Sequence, residues 1–338
     1  MKKSMKRKLR LGALALMVAC LVPLMAGCDV GLTKMGYIDK EGNTVIEGLY
    51  QMAQPFHEGM AGVMLGRGDQ VYWGFIGKDN KAKVNLNLSE ARPFYDGVAP
   101  VCKYGSKYNY WVFIDTNGED VFGQEFADAS VFVNGLAPVQ DMETEKYGYI
   151  DRQGQLVIPY QYDTASVFSA TDDLAMFRVG GENLGRCGYI DREGNEVIEP
   201  AYFYAGTFND GLAVVKETSD MEVADWGLIN TKGEMVLGGD FVECGNYSEG
   251  LAPVAVEKDG KTLWGFMDGE GNWVIEPQFA SALSFSEGLA GAQSTEGDQL
   301  WGYIDKTGAW VIEPAFEGVA DFSEGLAAVH GGKLVVAK

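Results

Sequence analysis

The stretch WGYIDKTGAWVIEP, residues 301–314, is nearly a copy of WGFMDGEGNWVIEP, residues 264–277. A recurring phrase marks a packing unit, because a catalytic centre is normally made once in a chain. With the phrase's glycine as a ruler, it falls at Gly36, Gly74, Gly148, Gly188, Gly227, Gly265 and Gly302, and Val112 takes the third slot. The spacings are 38, 38, 36, 40, 39, 38 and 37 residues, so eight units fill residues 35–338 and leave no room for a second domain.

A large apolar residue stands before the glycine: Trp73, Trp111, Trp226, Trp264 or Trp301, with Met35, Tyr147 and Cys187 elsewhere. An aromatic-rich strand follows, then a turn such as Asp305-Lys306-Thr307-Gly308. Aspartate at its start can accept from the backbone two residues on, and glycine supplies the positive φ at its end. The next strand, Val311-Ile312 or Val197-Ile198, is expected to stop at a proline: Pro159, Pro200, Pro277 or Pro314. Each unit continues as aromatic, polar, acidic, Gly, apolar, Ala, as in Phe322-Ser323-Glu324-Gly325-Leu326-Ala327, which opens a GLAxV strand. Pro100, Pro138 and Pro253 lie inside that strand and cannot donate to a ladder, so it is expected at a sheet edge. Helical periodicity is missing throughout, and the expected class is all-β.

These units resemble the bacterial WG-containing repeat, with its Trp-Gly-aromatic-Ile-Asp, glycine-ended turn, Val-Ile-x-Pro and later Phe-x-Glu-Gly-Leu-Ala. The resemblance brings no established catalytic residues. Val112 in the third unit and Cys187 in the fifth depart from it, and irregular packing is expected there. One such β-meander of about 38 residues cannot bury its own aromatics, so units must stack, either radially as a propeller or axially as an open solenoid. The chain begins inside a unit at Met35-Gly36-Tyr37 and ends with the strands that would precede it, over 325–329 and 333–337. That offset favours a closed ring, with the GLAxV strand as its inner edge.

The first residues are those of an export signal: basic MKKSMKRKLR, an uncharged apolar run from 11 to 24, then Leu24-Met25-Ala26-Gly27-Cys28. The last five resemble a lipoprotein cleavage box, which implies removal of 1–27, acyl chains (palmitate among them) on Cys28 and residence on the extracytoplasmic face of a bacterial cell membrane. Asp29 resembles an inner-membrane retention signal. Residues 28–34 then form a tether of about 20 Å at most, at about 3.3 Å per extended residue.

Cleavage removes six of 27 basic groups and none of the 48 acidic ones, leaving a net charge of −27. Such a chain repels nucleic acid and anionic lipid, so contact with the membrane is expected through the anchor only, and the partner, protein or glycan, should be neutral or cationic. A monomer is expected. Cys102, Cys187 and Cys244 remain, without CxxC or Cys/His spacing, and only two histidines occur, so neither a metal site nor a disulfide framework is expected. No nucleophile elbow, H-E-x-x-H or Walker loop is present, and neither a catalytic residue nor a cofactor is assigned.

The function expected is therefore a non-catalytic interaction scaffold. The tryptophans and glycines of the repeat read as packing anchors. Trp273 and Trp310 differ, since their position holds Glu196 in another unit and so cannot be fully buried; they are the candidate ligand platform of a glycan-binding alternative. A glycoside hydrolase using unidentified carboxylates is the second alternative. The acids before the GLAxV glycine (Glu58, Asp96, Asp210, Glu249, Glu287, Glu324) could form a negative collar in a ring, although solvated turn acids are the ordinary expectation.

Overall fold

The computed structural model describes residues 34–332, except 68–69, 182–184 and 221–222. The leader, Cys28, the tether up to residue 33 and the segment 333–337 lie outside the described residues. Every element within them is a β-strand, and the strands form eight small antiparallel sheets, seven of four strands and one of three. Each sheet is a blade of a closed ring: an eight-bladed β-propeller.

Six of the eight blades run through one stretch of chain and have four strands in sequence order; the seventh blade along the chain is typical, with Ser281–Ala282, Ala290–Gln293, Trp301–Ile304 and Trp310–Phe316. The eighth joins both ends of the chain. Its inner strands are Gly318–Val319 and Ala327–His330, its outer ones Met35–Ile38 and Thr44–Tyr50, and the seam pairs Met35 with His330 and Ile38 with Ala327. The offset termini thus close the ring, and the open solenoid is set aside.

The GLAxV strand is not an edge strand. It lies second, just outside an innermost strand of two residues such as Asp128–Ala129. Proline is accepted at Pro138 because the innermost strand has already ended: the remaining backbone bond there runs from the Ser130 amide to the Pro138 carbonyl, which needs no donor from proline. Nor does proline stop the fourth strand. Pro159 and Pro314 lie within it, and it continues to Tyr162 and Phe316. This is the outer edge of the blade, and prolines there block pairing with other chains.

The glycine of each unit has a steric cause. Beside it the fourth strand shifts register, except in the fifth blade where Gly227 pairs directly with Gly238, and a Cβ on Gly36, Gly148, Gly188, Gly227, Gly265 or Gly302 would sit 2.4 or 2.5 Å from the carbonyl oxygen of Ile46, Ile158, Ile198, Leu237, Ile275 or Ile312. Val112 is the natural exception. Its blade keeps three strands, and the returning chain meets Tyr110–Asp115 without forming a fourth, through the isolated pairs Trp111 with Phe126 and Ile114 with Asp120 and a bond from the Val121 amide to the Phe113 carbonyl. Cys187, by contrast, is buried in a regular four-stranded blade, so the irregularity expected there does not occur: a smaller side chain leaves room, whereas a Cβ in place of glycine removes it.

Neighbouring blades are joined by aromatic pairs. Tyr37 packs on Phe56 at 4.8 Å, Phe75 on Phe94 at 4.7 Å, Tyr149 on Phe168 at 5.0 Å and Tyr303 on Phe322 at 4.7 Å, each third-strand ring meeting the following blade. Such pairs contribute about 1 kcal/mol beyond the area they bury. The hydroxyls of Tyr37, Tyr149, Tyr189 and Tyr303 also donate to the carbonyls of Gln54, Ser166, Gly206 and Ala320 across the joint, at 2.7–2.8 Å.

Candidate binding face

Antiparallel meanders place two kinds of loop at opposite ends of the ring. The acidic-Gly turns and the Asp-x-x-Gly turns share one end, the turn face. The hairpins between second and third strands lie at the other, the hairpin face.

On the turn face much of the repeat is spent on internal bonding. Glu324 and Gly325 both have positive φ, 52° and 82°, the geometry of a two-residue hairpin closed by paired bonds between Ser323 and Leu326. The carboxylate of Glu324 accepts from the Gly59 amide of the next blade and pairs with Lys78 at 3.1 Å. Glu287 accepts from Gly325 and pairs with Lys40; Glu249 accepts from Gly288 and pairs with Lys306. The Ser248, Ser286 and Ser323 hydroxyls donate to the Phe285, Phe322 and Phe56 carbonyls one blade on. Glu249, Glu287 and Glu324 are clasps between blades, not a free collar.

The clasps predict an acid-sensitive ring. Partial burial pulls the Glu287 carboxyl up, but the Gly325 amide and Lys40 outweigh it, and Lys78 and the Gly59 amide do the same for Glu324, so both titrate below the ordinary glutamate range. A carboxyl depressed on folding stabilises above its unfolded pKa, and that contribution is lost as pH falls through the folded value. Asp321, raised to about 6, acts oppositely and only while it is ionised. Melting temperature should therefore drop steeply below about pH 4, and Glu287→Gln with Glu324→Gln should lower it at pH 7 while flattening the acid drop. Equal acid drops in variant and parent would count against the clasps.

The hairpin face is where units differ. Tyr104 and Tyr108, in the hairpin of the second blade, are the most exposed aromatics among the described residues, at 52% and 57%. Beside them a surface cleft of about 230 Å³ is lined by Gly105, Ser106, Lys107, Tyr110, Glu125 and Met142 as well as Tyr108. Lys107 lies 5.0 Å from the Tyr108 ring, and Tyr104 donates to the Val71 carbonyl, which fixes it against the first blade. Sequence reasoning passed over these tyrosines because they fall between repeat phrases; the signal was the varying hairpin length.

The sequence-singled residues sit elsewhere. Trp73, Trp111 and Trp264 are buried, while Trp226, Trp301 and Tyr147 are half-buried at joints between blades. Gly74, which pairs with Val63 in the first blade, lies at a register shift of the fourth strand as the other repeat glycines do, Gly227 excepted. Trp273 and Trp310 are half-buried at the start of outer strands. Trp310 meets Phe279 of the preceding blade edge-on at 5.6 Å, and Trp273 joins Leu237 and Phe241, so the two are not brought into one platform. Cys102, Cys187 and Cys244 are free and buried, and burial pushes their thiols up, Cys244 to about 12. Among the described residues no cluster of three or more His, Cys, Asp or Glu could hold a metal ion.

The WG containing repeat matches residues 35–67, 73–108, 147–182, 188–218, 226–261, 264–295 and 301–329. The chain belongs to the WG containing repeat family. The gap in the match, 109–146, begins at the unit whose glycine is Val112. No curated protein matches the sequence of this WG-repeat chain. Among solved structures it is similar to a prolyl endopeptidase (TM-score 0.53, 11% identity, covering 82% of this chain and 48% of that one) and to prolyl oligopeptidase B from Galerina marginata (0.51, 12%, 78% and 50%). It is also similar to the β-propeller domain of the Trilobed protease from Pyrococcus furiosus (0.49, 12%, 79% and 98%). The WG-repeat chain spans about half the length of the prolyl peptidases, and at such identities the likeness is one of fold.

Proposed function

We propose that this WG-repeat propeller is a non-catalytic binding scaffold, tethered to the extracytoplasmic face of the membrane through Cys28, whose hairpin face takes a protein or glycan partner. The observation that carries the reading is the asymmetry of the ring. Much of one face is spent on clasps between blades, and the other varies from unit to unit and holds the aromatic cleft beside Tyr104 and Tyr108. Exposed aromatics beside a cleft are what a binding surface uses, since two-rotor rings cost little entropy on ordering. Met35, paired with His330, starts the first strand at the hairpin-face end. A tether of about 20 Å leaving from that end keeps the face near the bilayer, so the partner is one that lies close to the membrane.

Crosslinking on intact cells tests this. Wild type should capture a discrete protein or wall fragment, and Tyr104→Ser with Tyr108→Ser should lose it without loss of melting temperature. The half-exposed indoles of Trp273 and Trp310 keep the glycan reading in view, and it requires that the captured species be a wall glycan and that Trp273→Ala with Trp310→Ala weaken its capture. Capture untouched by either pair of substitutions would remove both readings. Cys28→Ser should abolish palmitate incorporation and release the protein from membranes.

A further inference from the structure

The innermost chain of every blade contributes one residue to the axis of the ring. In the eighth blade Ala320 packs with Phe56 of the first, and Phe322 packs on Tyr303 of the seventh, so Asp321, between them, is turned to neither neighbour and faces the axial channel. The same logic holds around the ring. Gln54 bonds to Ala91 of the second blade while Phe56 meets Tyr37 of the eighth, leaving Pro55 axial; Arg92 bonds to Ala129 while Phe94 meets Phe75, leaving Pro93 axial. By repeat position the axial residues are Pro55, Pro93, Val131 and Val167 in blades one to four, and Thr207, Asn246, Ser284 and Asp321 in blades five to eight. All eight are partly or fully solvent-accessible, whereas the aromatic that follows each is covered in seven of the eight blades, Tyr247 being the exception.

This ring of side chains is divided in two. Four consecutive blades present apolar groups, and the opposite four present a hydroxyl, an amide, a hydroxyl and a single carboxyl. Asp321 Oδ1 is sealed from solvent and has no hydrogen-bond partner. Burial alone pushes this carboxyl up to about 6, with no charged neighbour contributing. An ionised carboxylate so placed lacks a counter-charge, and leaving it unpaired is costly. A ligand that completes it must bring a positive donor for Asp321 and an apolar body for the prolines and valines of blades one to four.

We propose that the axial channel is a binding site for a primary alkylammonium, with its ammonium on Asp321 and its chain against Pro55, Pro93, Val131 and Val167. The site is independent of the hairpin-face reading, since its residues are in none of the hairpins. Two sources share this chemistry, a free amine and the side chain of a partner's lysine.

Calorimetric titration of the whole purified chain tests it, with n-butylammonium chloride, methylammonium chloride, n-butanol and the peptide acetyl-Gly-Lys-Gly-amide as probes. Butylammonium is expected to bind once per chain, tighter than methylammonium by about fourfold for each added methylene. Butanol should not bind. Asp321→Asn should keep the melting temperature, since it removes an unpaired buried carboxyl, and should weaken butylammonium at least tenfold, about 1.4 kcal/mol. Binding of the lysine peptide assigns the source to a partner protein; binding of the free amine alone assigns it to a small molecule. The proposal fails if no alkylammonium binds, if butanol matches butylammonium, or if Asp321→Asn binds as wild type does.

Discussion

Removing residues 318–338 is expected to abolish cooperative folding of the whole ring, though it takes only the inner part of one blade. That blade is sewn from both ends of the chain, so the cut strips Met35–Ile38 of its partners from Ala327 to His330 and leaves its backbone groups bare. Val319, Phe322, Leu326 and Val329 go with it, all buried. At about 1.5–3 kcal/mol for each fully buried side chain the loss is roughly 6–12 kcal/mol, comparable to the whole stability of a typical domain. Both neighbouring joints open as well: Tyr303 loses Phe322 and the Ala320 carbonyl, and Phe56 loses the Ser323 hydroxyl on its carbonyl. An open stack would lose only the share of one terminal unit and would melt as a slightly shorter array. Calorimetry and near-ultraviolet circular dichroism on the truncated chain make the distinction. A sharp transition within a few degrees of the parent would refute the account of closure given by the seam.

How far the sequence foretold this can be judged residue by residue. The period, the all-β class and the closing of the ring by offset termini were legible, because repeated glycines and turns report backbone requirements that are local. Pro138 misled, since a missing donor matters only where an acceptor waits, and the innermost strand ends at Ala129, before it reaches Pro138. Cys187 misled in the same way: whether a smaller residue disturbs a joint depends on what can fill beside it. The acids of the collar looked free because their partners, Gly59 and Lys78 for Glu324, stand 265 and 246 residues away in the chain. Asp321 could not be singled out among 48 acids until the direction of its neighbours placed it on the axis. Trp273 and Trp310 share a repeat position and were expected side by side, but each indole turns to the blade before it. What lies within one unit could be read; what is made between units could not.

Gly302→Val should convert the seventh blade into a likeness of the second. A Cβ at 302 would stand 2.4 Å from the Ile312 carbonyl oxygen and 2.9 Å from both the Glu313 carbonyl carbon and the Pro314 nitrogen, all backbone atoms that no rotamer can move aside. The strand Trp310–Phe316 must therefore lift, as the corresponding chain does beside Val112. Lifting it exposes Ile312 and Phe316, now buried, at about 3–6 kcal/mol for the two. For a domain of this size each kcal/mol moves the melting temperature by about 2 °C, so a fall of about 6–12 °C is expected. Hydrogen exchange should show the lost protection confined to 310–316 and the adjoining edge of 301–304. The reverse change, Val112→Gly, should gain little, because the returning chain of the second blade has its own anchors, Phe122 and Phe126, packed on Phe113 at 5.5 and 6.1 Å. An unchanged melting temperature in Gly302→Val would mean that the bulge can relax, and the repeated glycine would then need another cause.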